Sequence, residues 1–175
     1  MSAVLDPPAI TFDFVRSPDW ISRFIAWYGN GYDGCAHVAP RLRDGSYIDA
    51  RNNAMTVGGV RIPSGVQRRP AGYLDNSVKH IRATKPVSLT QYQAWTSWLV
   101  QHLNDGYDEA DIFSFITGIP LTNGEGFWVC SALGLGSLQS VHELPQDMPF
   151  AVRECTPNSL LWIVASIGFK LIKIR

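Results

Sequence analysis

The chain has 175 residues, of which 46% are hydrophobic and 17% charged, and its fifteen basic residues are balanced by fifteen acidic ones. That balance excludes a disordered chain and gives no chain-wide electrostatic footprint for nucleic acid, while the length fits one domain, 1–175, with a full core. The three cysteines, Cys35, Cys130 and Cys155, form no CxxC spacing and cannot all pair, so the expectation is a reducing compartment, with no metal and no cofactor.

In chain order, residues 1–10 show neither a basic nor an apolar leader region, so a cytoplasmic protein is expected, with export by another route left open. Residues 10–15 alternate and β-branch like a strand. Ser17-Pro18-Asp19 starts a helix over residues 20–28, which places Ile21, Phe24, Ile25 and Tyr28 on one face. Gly29, Gly31 and Gly34 lie in a loop that forms no GxGxxG. His37-Val38-Ala39 enters a strand, Asp44-Gly45 turns tightly, and residues 46–50 run back as a second strand. In a hairpin pivoting on Asp44-Gly45, position 37 lies near positions 50 to 52. Asp49 is then close enough to His37 to orient it, if both point to one face.

Residues 58–63 read as a short strand stopped by Pro63, and residues 77–83 as another, with an exposed loop between them over 64–76. Arg68 and Arg69 in that loop read as a solvated pair, against a lesser reading as a clamp for an acidic group. Ser88 caps a helix through about residue 103, with Tyr92, Trp95, Leu99 and His102 following its period. His80, His102 and His142 each lack a second ligand at metal spacing and read as structural. A short helix over residues 108–117 and a loop over 118–126 lead to GFWVCSALGLGSL, where Cys130-Ser131 opens an apolar run. Beyond it, Thr156-Pro157 starts a helix through roughly residue 167, and residues 169–175 alternate like a final strand. The apolar run over 160–167 is far below the ~20 residues needed to span a bilayer, so no stable membrane anchor is expected.

Cys130 is the candidate nucleophile. The thiolate is the reactive form of cysteine, and the N–H groups and positive dipole end of a helix start lower a thiol pKa and can hold an oxyanion. A buried cysteine acting as a small hydrophobe is the competing reading. Cysteine nucleophile, imidazole base and carboxylate orienter are the three parts of a thiol acyl-transfer site, and Cys130, His37 and Asp49 supply them.

HVAPRLRDGSYIDA resembles the histidine hairpin of NlpC-type papain-like amidases, in which a strand of the form H-(V/S)-(G/A)-I turns into a second strand carrying the third polar residue. FWVCSALGLGSL resembles their nucleophile helix, which opens on a Cys-Ser pair. Their ordinary order places the cysteine first, whereas His37 and Asp49 here precede Cys130. That order is similar to the circularly permuted branch, which includes YiiX-like bacterial hydrolases and, more distantly, the lecithin retinol acyltransferase group. The likeness spans about residues 10–144. Pro40 stands where the histidine strand usually has an aliphatic residue, which implies an edge or bulged strand, and Ala132 stands where permuted members often carry Glu.

The resemblance implies an α+β, papain-like fold in permuted order, with an antiparallel sheet carrying His37 and Asp49 packed against the Cys130 helix. It implies a bacterial or phage thiol hydrolase acting on peptide, isopeptide or cell-wall amide bonds, with a lipid or ester acyl group as the second enzymatic option. It also makes Tyr107, in Gly106-Tyr107-Asp108, a candidate for holding the oxyanion, a core or surface tyrosine being the alternative. A non-catalytic binding or structural module of the same fold, as in a phage particle, is the rival from another class. Oligomeric state is left open.

Overall fold

The computed structural model describes residues 7–18, 34–108, 126–146 and 155–175. The expected helix over 20–28, the short helix begun at 108 and most of the loop over 118–126 lie outside the described residues. The fold is mixed α+β, with antiparallel sheets and, among the described residues, three helices.

Strand β1 (Ala9–Arg16) is the frame. Its period-2 alternation sends Ile10, Phe12 and Phe14 into the main core and Asp13 and Val15 to the opposite face. It pairs antiparallel with β2 (His37–Pro40) on one side and β7 (Lys79–Pro86) on the other, and β10 (Lys170–Lys173) extends the sheet in the order β10-β7-β1-β2. The second sheet pairs β3 (Tyr47–Arg51) with β6 (Gly65–Arg69). Between these two lies the small hairpin of β4 (Met55–Val57) and β5 (Val60–Ile62). The short strands β8 (Gly106–Tyr107) and β9 (Phe127–Trp128) pair in parallel.

Helix α1 (Leu89–Gln101) begins with a full capping box: Ser88 accepts from the Gln91 N–H, and the Gln91 side chain accepts from the Ser88 N–H. It buries Trp95 and Leu99. Trp95 meets Phe12 edge-on with ring centroids 5.9 Å apart, and each such buried aromatic contributes roughly 1.5–3 kcal/mol of transfer free energy. Helix α2 (Cys130–Gln139) is buried along its whole length, and its small residues explain how. A Cβ added at Gly134 would sit 2.7 Å from Leu160 Cδ2, and one at Gly136 would sit 2.9 Å from Trp98 Cη2. Ser137 satisfies the Trp95 indole N–H at 3.0 Å while donating to the Gly134 carbonyl. Helix α3 (Pro157–Ser166) has Pro at N1 and Thr156 as N-cap, as its sequence predicts, and packs Leu160 and Val164 on α2.

Two sequence expectations need correction. The 64–76 segment is not an exposed loop throughout: residues 65–69 form β6, and Arg69 is completely buried. Only Arg68 of the pair is solvated, bound to Asp44 at 2.5 Å. The hairpin also opens more than expected. The Asp44-Gly45 turn forms, with Gly45 at φ 83 and Ser46 N–H bound to Asp44, but a single bridge, Arg41 to Tyr47, joins its two arms. Beyond it the arms diverge into different sheets, because β2 takes its ladder from β1 and β3 takes its own from β6.

Pro40 fits this arrangement. Strand β2 is a sheet edge, and since Arg41 N–H donates inward to Thr11 at 2.8 Å, alternation turns position 40 outward, where no ladder donor is needed.

The far face of β1 ties the two sheets together. Asp13, fully buried, accepts from Tyr47 of β3 at 2.8 Å and from Arg82 of β7 at 2.8 and 2.9 Å, with His80 at 3.2 Å. Burial would raise its carboxyl, yet His80, Arg82 and Tyr47 overcome that and hold it at about 2.

Candidate active site

The site forms where three elements meet. Helix α2 starts at Cys130, and its N-cap, Val129, has no side chain able to cap it. The first turn of the helix therefore receives no side-chain acceptor from Val129. Ser131 Oγ donates to the Cys155 carbonyl, which pins the start of α2 to the start of α3. Asn158 of α3 clasps the chain just before β2, its side chain accepting from Cys35 N–H at 2.8 Å and donating to the Cys35 carbonyl at 3.2 Å. His37 is the first residue of β2.

His37 Nε2 lies 2.7 Å from Asp49 Oδ2, so the ring's other nitrogen, Nδ1, is left for the Cys130 thiol, with which His37 also hydrogen-bonds. The outward-facing Val38 N–H on the open edge of β2 adds a second hydrogen bond to that sulfur. Burial opposes ionisation of Cys130, but the His37 charge and these two hydrogen bonds outweigh it, and the thiol is held below its ordinary value. His37 shifts the other way: burial and Arg51 depress it, while the Cys130 thiolate and Asp49 raise it above 6.5 on balance. A thiolate and an imidazolium thus stabilise each other.

Asp49 is fully buried. Its Oδ2 accepts from Tyr73 as well as facing His37, and its Oδ1 accepts from Arg69 Nε. Burial would raise the carboxyl, but His37 and then Arg69 and Arg51 hold it at about 2. Tyr73 closes the cluster, with its hydroxyl 3.4 Å from His37 Nε2 and its ring edge-on to Tyr47 at 5.0 Å. Burial and the adjacent Asp49 charge push the Tyr73 phenol well above 10, so it stays a hydrogen-bond donor.

The sequence-predicted residues Cys130, His37 and Asp49 are thus brought together from helix, first sheet and second sheet. Tyr107 is half-buried on β8, beside Trp128 of β9, two residues before Cys130, and it packs against the main core. Arg69, Tyr73 and Asn158 were missed as members of the site. His102, read as structural, caps α1 with its ring 4.2 Å from Trp98 and its Nδ1 2.7 Å from Asp105.

Cys155 and Cys35 are buried, and no disulfide forms among the described residues. Burial and the nearby Cys130 charge raise the Cys155 thiol to about 12, which separates it chemically from Cys130. Among the described residues no cluster of three or more His, Cys, Asp and Glu could hold a metal ion, and no helix is long and apolar enough to cross a membrane.

Comparison with protein-family models, with curated proteins and with solved structures found no match.

Proposed function

We propose that this chain is a thiol-dependent amide hydrolase of permuted papain-like organisation, with Cys130 as nucleophile, His37 as base and acid, and Asp49 as the group that orients the imidazole. The observation that carries the reading is the contact of a thiol held below its ordinary value with a histidine whose other ring nitrogen meets a buried carboxylate at 2.7 Å. Perturbed thiols in such surroundings are the mark of activated cysteines.

In this mechanism His37 Nδ1 takes the thiol proton, and the thiolate adds to the carbonyl carbon. The N–H groups at the start of α2 stabilise the oxyanion, with Tyr107 as the further candidate donor. The carbon–nitrogen bond then breaks as His37 returns the proton to the leaving amine. Water, activated by the same ring, cleaves the thioester, releasing the acid and regenerating the thiol. Asp49 fixes the tautomer throughout and balances the imidazolium charge. Peptide, isopeptide and cell-wall amides are the proposed substrate class, with lipid or ester acyl groups as the second.

The test is hydrolysis of a panel of peptide, isopeptide and ester substrates by the native chain and by Cys130→Ala. Loss of turnover with the thermal midpoint retained is the expected result. An active Cys130→Ala protein, or a native chain inert across the panel with no selective labelling of Cys130, refutes the enzyme in favour of a binding or structural module.

A further inference from the structure

Arg51 stands apart from the other arginines around the site. Arg69 is buried and paired with Asp49, and Arg68 is paired with Asp44, but among the described residues Arg51 makes no ion pair. It is the last residue of β3, two positions after Asp49, so the strand's alternation turns its side chain to the same face as that carboxylate. It is half-exposed where Asp49 is sealed. Its guanidinium is held over the Tyr73 ring, 5.6 Å from the centroid, with Nη1 3.9 Å from Met55 Sδ. The Tyr73 hydroxyl in turn lies 3.4 Å from His37 Nε2. The cation is therefore positioned by an aromatic face and a thioether, neither of which neutralises it, and the residue is partly exposed.

We infer that Arg51 is a specificity-determining residue that selects substrates carrying a carboxylate on the leaving-amine side of the scissile bond. This rests on the hydrolase reading above. There, His37 hands its proton to the departing amine from Nδ1, and Arg51, over the Tyr73 ring, borders the Nε2 end of the same imidazole. An amino acid leaving with its α-carboxylate, or an acidic residue on the amine side, meets the guanidinium with the fork geometry that carboxylates match. The Arg51 charge is felt at His37, Asp49 and Tyr73, which places it electrostatically inside the site. A lysine, a point charge, would keep the attraction but lose the two-pronged fit.

The probes are iodoacetate and iodoacetamide, which differ by one negative charge, and the readout is the ratio of their alkylation rates at Cys130, followed peptide by peptide. Dividing by the iodoacetamide rate removes any effect of a substitution on the thiol itself. A unit charge acting over ~8 Å at an effective dielectric of about 40 changes such a ratio about fivefold, so Arg51→Met is expected to lower it by about that factor. Arg51→Lys should restore most of the ratio and Arg51→Glu should lower it further. Arg51→Gln replaces the Met variant if thermal melting shows that protein unfolded.

On peptide substrates, cleavage before a residue with a free carboxylate should exceed cleavage before its carboxamide, and Arg51→Met should erase the difference. An unchanged reagent ratio in Arg51→Met, with iodoacetamide still selecting Cys130, overturns the role of Arg51 alone. Iodoacetamide that does not favour Cys130 over Cys35 and Cys155 in the native chain overturns the hydrolase reading and this inference with it.

Discussion

Arg69→Met tests how the carboxylate of the site is held. Arg69 and Asp49 are both sealed from solvent, and the substitution keeps much of the volume while leaving Asp49 Oδ1 without its Arg69 donor. Breaking a buried pair by removing one partner costs roughly 3–5 kcal/mol. His37 and Tyr73 still bind Oδ2, so the low end, about 3 kcal/mol, is expected. For a chain of this length that lowers the thermal midpoint by about 6–12 °C. The pH dependence supplies the sharper signature. Asp49 sits at about 2 in the folded chain against an ordinary 3.8. Its depressed pKa contributes about 2 kcal/mol that is fully present above the unfolded value and is lost as pH falls from 3.8 towards 2. Without Arg69 the folded pKa moves back up and that contribution shrinks. Urea unfolding of both proteins between about pH 6 and pH 2.5 should therefore show a gap that narrows as the medium acidifies. Adding Asp49→Leu to Arg69→Met should recover only part of the loss, since replacing both members of a buried pair by apolar groups is often neutral but the Tyr73 hydroxyl and His37 lose their acceptor. A loss below about 1 kcal/mol at neutral pH, or a gap indifferent to pH, would refute the assignment.

Residue-resolved iodoacetamide labelling over a pH series should give Cys130 a midpoint below the ~8.5 of free cysteine, with Cys155 unlabelled through neutral pH because its thiol is held at about 12. Asp49→Asn should cost about two to four orders of magnitude in turnover through the wrong imidazole tautomer, and it should also lower stability by leaving the buried Arg69 charge unbalanced. Tyr73→Phe removes one of the donors to Asp49 Oδ2 and should cost roughly 1.5–3 kcal/mol by urea unfolding, as the loss of a hydrogen bond to a charged group does. Gly134→Val should destabilise by about 1–3 kcal/mol, since the new Cβ would fall 2.7 Å from Leu160 Cδ2, and an unchanged melting curve would show that α2 and α3 can part without cost.

The residues that were legible in the sequence are those whose signals are local. Ser88, and Thr156 with Pro157, announce their helices because capping chemistry is local. Cys130 reads as a helix start because a turn and two aromatic residues precede a run of small and apolar ones. His37 and Asp49 are legible as neighbours because the turn between them is short and carries Asp44-Gly45. What the sequence concealed depends on partners far away. Arg69 reads as surface because an arginine is rarely buried; its burial is decided by Asp49, twenty residues earlier and on another strand. Tyr73, in a turn beyond β6, has no periodicity to mark it. Asn158 meets Cys35 across 123 positions. The hairpin was misjudged for the same reason: its turn is local, but the choice of β1 and β6 as ladder partners for its arms is not.

Because the bridge between Arg41 and Tyr47 lets the two arms separate, the carboxylate that meets the histidine and the histidine itself belong to different sheets, and the thiol arrives on a third element. The order of synthesis gives this a temporal meaning. Both strands are made before the helix that bears Cys130, and the Asn158 clasp on the segment entering β2 is made later still. A nascent or partly unfolded chain therefore carries three cysteines of ordinary acidity. The lowered thiol exists only once sheet, sheet and helix have docked, so its ionisation is a property of the finished molecule and a reporter of its completion.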